Sequence, residues 1–296
     1  MLYNEGIEFK AYHEEAMPRF SVLASGSSGN AAFVQLEGFG LLIDIGLGPR
    51  LISSRLAAIG MSWRDVNAVL LTHVHTDHWK DRTLAQLCTQ RIPLYCHSEH
   101  VECMRWSESF EPLRSAGLVR HFEADSPWKI ADGLQCRALP VPHDSPPTFA
   151  FRLDGGPGLF HGEWSLGYAA DLGVVPSNIV EAFRDVQVVA LEFNHDVDLQ
   201  RRSGRSASLI ARVLGEQGHL SNRQAAEALS AILERSQPGS VRHVVQLHLS
   251  QQCNRPALAQ EAARQVLQSA CSAIELHTAC HDRPTRLIDL GNLVKV

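Results

Sequence analysis

The chain has 296 residues, 45% hydrophobic and 20% charged, the balance of a globular protein with a sizeable core rather than of a disordered chain. A formal charge of -5 argues against a protein that coats nucleic acid through its overall field, although a local basic patch or bound cations could still hold phosphates. Seven cysteines with no Cys-x-x-Cys pair, no 18-residue apolar run and no charged-then-apolar leader lead us to expect a soluble, cytoplasmic protein with reduced thiols.

Residues 1–16 show no clear period and read as an N-terminal extension; residues 17–296 read as one domain. A strand is predicted over 20–24, running into the loop Ser25-Gly26-Ser27-Ser28-Gly29-Asn30, whose glycines permit positive φ and close backbone approach. The chain returns at once as a strand from Ala31, so the loop fits a plain hairpin turn and equally a loop whose amides and Asn30 border a site. A third strand over 40–46 carries Asp44 at its end, suited to holding loops by hydrogen bonds. Residues 49–60 place apolar side chains at helical spacing and end on Gly60.

Residues 68–78, Ala-Val-Leu-Leu-Thr-His-Val-His-Thr-Asp-His, organise the rest of the chain. Their apolar start reads as a fully buried strand. Their polar end falls on the loop after it, where open α/β sheets keep their chemistry. His73 and His75 are two apart and point the same way in an extended segment. Asp77 and His78 follow where the chain can turn. Two adjacent cations could share these four side chains, which are the ligand types of zinc or manganese. Beyond this stretch, a helix is predicted over 83–90, a short strand over 92–96 and a helix over 98–106.

Four more strands end in site-like residues. One over 134–144 ends at His143, one over 166–173 at Asp171, one over 186–196 at His195 and one over 242–250 at His248. A helix over 223–235 opens with Ser221 or Asn222 as its cap, preceded by His219, and an amphipathic helix spans 256–270. Strand ends on one edge of a sheet converge in space, so five of them bearing His or Asp form a candidate site. The histidines at 13, 97, 100, 121, 161, 243, 277 and 281 match no motif.

The motifs Leu-Ala-Ser-Gly-Ser-Ser-Gly-Asn over 23–30, Thr-His-Val-His-Thr-Asp-His over 72–78, Val-Pro-His-Asp over 141–144, Ala-Asp-Leu-Gly over 170–173, Glu-Phe-Asn-His-Asp over 192–196, Gly-His-Leu-Ser-Asn over 218–222 and His-Leu-Ser over 248–250 stand in an informative order. Together they resemble the WalJ/YycJ-like exonuclease subgroup of the metallo-β-lactamase-fold hydrolases. The resemblance covers residues 20 to about 290 and implies an α/β fold, a four-layer αβ/βα sandwich. It implies one metal on His73, His75 and His143, another on Asp77, His78 and His248, and Asp171 bridging them. Two divalent ions are expected, zinc first and manganese second. Asp77 and His219 are expected to be catalytic, His219 by protonating the leaving oxygen; its alternative is a helix-start hydrogen bond. Asn30, His195 and Arg205 are expected to touch substrate, His195 with Asp196 either through a substrate phosphate or instead by supporting the metal ligands from behind, and Arg201, Arg202 and Arg212 stand in the same basic cluster or on a solvated helix face. The chain departs from the relatives at Ala170, often Thr, and over Trp79-Lys80-Asp81-Arg82, often glycine-rich, which bears on substrate more than on metals.

The function so implied is a dinuclear phosphodiesterase, a DNA exonuclease whose nucleophile is a metal-bound hydroxide, with DNA as its partner and neither membrane nor obligate protein partner legible. The alternative is a small-molecule hydrolase of the same fold, opening a cyclic phosphodiester, lactone or thioester. A non-catalytic binding module would be expected to have lost ligands, and all seven positions are present.

Overall fold

The computed structural model describes residues 17–145, 147–158, 161–270 and 273–291. The extension expected over 1–16 lies outside them. Its architecture follows from strands that are apolar on both faces. In β3 (Phe39–Ile43), Leu41 and Ile43 enter one apolar layer and Leu42 another. In β4 (Ala68–Leu70), Leu70 and Val69 divide the same way. In β11 (Val188–Glu192) and β12 (His243–Leu247), Val188, Ala190, Val245 and Leu247 share the first layer, while Val189, Leu191 and Val244 enter a third. Strands covered on both faces have no place for alternating polar residues, which is why they read as continuous hydrophobic runs.

Two seven-stranded sheets result. The first has the order β14 (Ile288–Asp289), β1 (Arg19–Ala24), β2 (Ala31–Leu36), β3, β4, β5 (Leu94–His97), β6 (Val119–Phe122). It is antiparallel from β14 to β3 and parallel from β3 to β6. The second has the order β13 (Glu275–Thr278), β12, β11, β10 (Trp164–Ala169), β9 (Thr148–Gly155), β8 (Leu134–Val141), β7 (Pro127–Ala131). It is parallel from β13 to β10 and antiparallel from there to β7. The sheets pack face to face through Phe20, Val22, Phe151, Leu166 and Tyr168.

Helices α1 (Pro49–Ala58), α2 (Asp81–Gln90), α3 (His100–Met104) and α4 (Phe110–Ser115) cover the first sheet, burying Ile52, Leu56, Leu84, Leu87, Met104 and Phe110. Helices α5 (Ser177–Ala182), α8 (Asn222–Arg235) and α9 (Pro256–Leu267) cover the second through Ile179, Leu229, Ile232 and Ala259. Two more, α6 (Val197–Arg201) and α7 (Ala207–Leu214), lie between β11 and α8 in the chain. This is the αβ/βα sandwich that the sequence resemblance implies. No helix among the described residues is long and apolar enough to cross a membrane.

The structure adds α4, β6, β7 and α5, none of which the sequence signals mark. These are short, and β6 and β7 are largely solvent-facing, so they carry little periodic signal. The helix expected over 98–106 is confined to α3. The organising strand is also shorter than its apolar run: β4 stops at Leu70, and the Thr72 amide bonds the Asp44 carboxylate instead of a neighbouring strand. His73 and His75 therefore sit on a loop held by side chains rather than in the strand.

Candidate metal centre

Asp44 is the residue on which the site is built. It ends β3 with φ 63°, a left-handed conformation that Asp tolerates better than most residues. Fully buried, it accepts from the Thr72 amide at 2.9 Å, from Thr72 Oγ1 at 2.9 and 3.0 Å, and from His78 Nδ1 at 2.7 Å. A carboxylate only accepts, so the His78 proton sits on Nδ1 and Nε2 is turned inward. Thr72 Oγ1 also lies 3.0 Å from His73 Nδ1. One buried carboxylate thus orients side chains of both expected ligand groups.

The other ligands are set in the same manner. His143, beyond β8, directs Nδ1 at the Gly218 carbonyl at 3.0 Å, leaving Nε2 on the side of His75 Nδ1, 3.3 Å away. His248, beyond β12, donates from Nδ1 to Glu192 Oε1 at 3.0 Å, and its Nε2 faces Asp77 Oδ2 at 3.6 Å. Asp171, beyond β10, lies 2.8 Å from His78 Nε2 and 3.0 Å from His248 Nδ1. Asp171 and His248 also hold positive φ, 57° and 55°. Such conformations cost about 1–3 kcal/mol each and persist where the surroundings over-determine them.

The donor atoms form overlapping groups whose members lie within 4.8 Å of one another. One is His73, His75 and His143; a second is Asp77, His78 and His248; a third is His73, His78 and Asp171. Asp171 therefore stands within reach of both expected ligand sets. The residues fit a pair of divalent ions on two counts. The Nε2 atoms of His73 and His248 are buried inside the cluster with no hydrogen-bond partner, a costly arrangement unless something else binds there. Carboxylates also gather here: Asp77, Asp171 and Glu192 lie against the ligand histidines, Asp44 lies behind His78, and Asp144 lies beside His75 and His143, an acidic set suited to cations.

The electrostatics point the same way. Burial, then the neighbouring His78, holds His73 well below the ordinary histidine range, so its lone pair is free. Burial also lowers His75, with His143 next. For His78 burial is outweighed by the Asp44 and Asp171 carboxylates, which push it up to about 10. His248 is raised against burial by Asp171, Asp77 and Glu192. Asp171 is held well below the carboxylate range despite burial, by His248 and His78. A cation held by these carboxylates would compete with the protons that they favour on His78 and His248, so its uptake would be coupled to proton release.

Two residues outside the expected list matter. Glu192, at the end of β11, accepts from His248 Nδ1, from His219 Nδ1 at 2.8 Å and from the amides of Leu172 and Leu220, at 3.1 and 3.2 Å. Its signal was in the sequence as a carboxylate closing an apolar strand. Asp144 pairs with Arg212 and lies 3.5 and 3.4 Å from the Nε2 atoms of His75 and His143. A cleft of about 450 Å³ opens over this region, lined by Asp144, Asn194, Arg205, Arg212 and His219 among others.

Of the residues expected to touch substrate, only Arg205 reaches this cleft, braced by Gln252 and Gln200. Asn30 is fully buried; its Oδ1 accepts from the Gly26 amide at 2.8 Å and its Nδ2 lies 3.0 Å from His78 Nε2, so it presents no surface to a ligand and ties the Ser25–Asn30 loop to the metal loop. His195 is likewise fully buried, outside all the donor groups, with neither ring nitrogen hydrogen-bonded. Direct substrate contact is closed to both in this arrangement, because neither exposes an atom.

A family profile described as the beta-lactamase superfamily domain matches residues 41–238. The chain is 27% identical over 280 residues to the exodeoxyribonuclease YycJ of Bacillus anthracis, covering 90% of this chain and 97% of that protein. It is 29% identical over 214 residues to the exodeoxyribonuclease WalJ of Streptococcus pneumoniae, covering 71% and 75%. Among solved structures, the metallo-β-lactamase fold protein YhfI of Bacillus subtilis superposes with a TM-score of 0.65 at 16% identity, over 90% of this chain and 99% of that one.

Proposed function

The chain belongs to the beta-lactamase superfamily and is a metal-dependent hydrolase of the metallo-β-lactamase fold, and on that premise we propose that it is a two-ion phosphodiesterase removing nucleotides from DNA ends. The reading takes residues 17–296 as one domain. It rests chiefly on Asp171, which lies in reach of both ligand groups, and is supported by the names of the two exodeoxyribonuclease relatives. We assign His73, His75 and His143 to one ion, Asp77, His78 and His248 to the other, and Asp171 to both. Imidazole and carboxylate donors suit zinc, with manganese as the second choice.

When bound, such a pair supplies an activated water near neutral pH and a Lewis acid for the attacked phosphate. The chain's own groups complete the reaction. Asp77, whose side chain is 22% exposed against 2% for Asp171, is the more accessible of the two ligand carboxylates and is placed to accept a hydrogen bond from the attacking water. His219 donates Nδ1–H to Glu192, leaving Nε2–H for the departing oxygen. Burial opposes its protonation, but Glu192 and Asp171 outweigh burial and raise it, which favours the charged ring that a proton donor needs. Arg205 and Arg212 give the phosphate backbone a positive rim.

The test is turnover. Metal-loaded protein is offered end-labelled duplex DNA, a bis-aryl phosphate, a lactone and a thioester. Nucleotide release from DNA ends that is lost in His75→Ala is the expected result. Intact DNA beside brisk lactone or thioester opening would refute the proposal.

A further inference from the structure

Two histidines that match no motif, His243 and His277, meet at the other end of the second sheet. Strands β12 and β13 run parallel, pairing His243 with Glu275 and Val245 with His277. His243, Glu275 and His277 therefore lie on one face. His243 Nδ1 is 3.3 Å from His277 Nε2, and Glu275 Oε2 is 3.4 and 3.6 Å from those same atoms. Donors sharing one tetrahedral ion at zinc's bond lengths of about 2.0–2.1 Å sit about 3.4 Å apart. The three observed separations bracket that edge. His243 also precedes His248 by five residues of extended chain, about 16 Å at roughly 3.3 Å per residue, so the triad is separate from the metal centre.

We propose that His243, Glu275 and His277 form a further, single-ion site for a borderline divalent cation such as zinc, completed by water. The two side chains of His243 and His277 are 16% and 9% exposed, enough for entry yet well ordered by packing. Burial, then the proximity of His243, lowers His277 to about 4; burial also lowers His243. Both rings are thereby held toward the neutral form, in which one nitrogen of each offers a lone pair to a cation. A cleft of about 390 Å³, lined also by Met17, Arg242, Arg286 and Asp289, opens onto the triad.

Arg286 is the competitor, because it pairs with the same Glu275 oxygen. Both side chains are more than half exposed, and an exposed pair of this kind is weak. The guanidinium can move to solvent when an ion takes Glu275. The ion would then tie β13, the edge strand of its sheet, to β12 and stabilise the fold by mass action.

Bound zinc settles the matter. The full chain is stripped with a chelator, dialysed to equilibrium against zinc, and its zinc content counted beside that of the His243→Gln/His277→Gln variant. One ion fewer in the variant, with a smaller zinc-induced rise in Tm and unchanged DNA cleavage, is expected. Equal counts overturn the proposal. Because the reading is a difference, a metal centre that bound nothing would lower both totals and leave the difference intact. Arg286→Ala keeps all three donors and serves should the double variant misfold: zinc at this site is expected to bind about threefold tighter, and unchanged or weaker binding also overturns the proposal.

Discussion

Replacing Asp44 with Asn tests how the metal centre is held. Asn is the apt substitution, since it keeps the shape and tolerates the φ of 63° that Ala would resist. In the native arrangement His78 Nδ1–H donates to Asp44 Oδ2 at 2.7 Å, which leaves Nε2 for the ion. In Asp44→Asn the amide oxygen would keep the bonds from the Thr72 amide and hydroxyl, which turns the amide NH₂ toward His78 Nδ1. That pairing requires an acceptor at Nδ1, driving the ring proton to Nε2, where it blocks the metal. To bind, the site must tolerate two donors facing each other or flip the amide and strand the Thr72 amide. Either costs about one buried hydrogen bond, 1–3 kcal/mol, and outer partners of ligating imidazoles are worth about 10–100-fold in metal affinity. We expect zinc affinity of the His78-containing group to fall by about that factor, measured by competition with a chromophoric chelator at pH 7.5. Circular dichroism should show the fold retained. Two ions bound by Asp44→Asn within twofold of the native affinities would refute this account of the tautomer.

His219→Gln should lower kcat by about 10²–10⁴ on DNA but much less on a bis-nitrophenyl phosphate, whose leaving group needs no proton; equal losses would remove the acid role. A Cβ at Gly46 would overlap the Asp77 carbonyl, so Gly46→Ala should cost about 1–3 kcal/mol of stability and weaken metal binding through Asp77, seen by denaturant melts and zinc titration; an unchanged zinc titration would show that the loop shifts freely. His100 is buried, and burial lowers it to about 4 from 6.5. Its folded pKa is below its unfolded one, so the unfolded chain binds the extra proton and stability falls as pH drops from about 6.5 to 4. The contribution amounts to about 3 kcal/mol, absent above that window. His100→Leu should flatten that part of the unfolding free energy against pH, and an identical slope in the variant would contradict it.

The apolar runs of β3, β4, β11 and β12 marked buried strands ending in His or Asp, and the order of those motifs carried the fold class and the candidate ligands through the family resemblance. A strand buried on both faces leaves a local pattern, and each ligand sits within a few residues of such a strand's end. Where each imidazole keeps its proton depended on the tertiary structure. Asp44 meets His78 across 34 residues, and Glu192 meets His219 and His248 across 27 and 56. The same holds for the burial of Asn30 and His195 and for the register that sets His243 beside His277. Periodicity records which face of an element is covered. A tautomer, a shifted pKa or a coordination edge depends on atoms about 3 Å apart that distant parts of the chain supply, and only the pairing of strands within each sheet and the packing of one sheet on the other bring those atoms together.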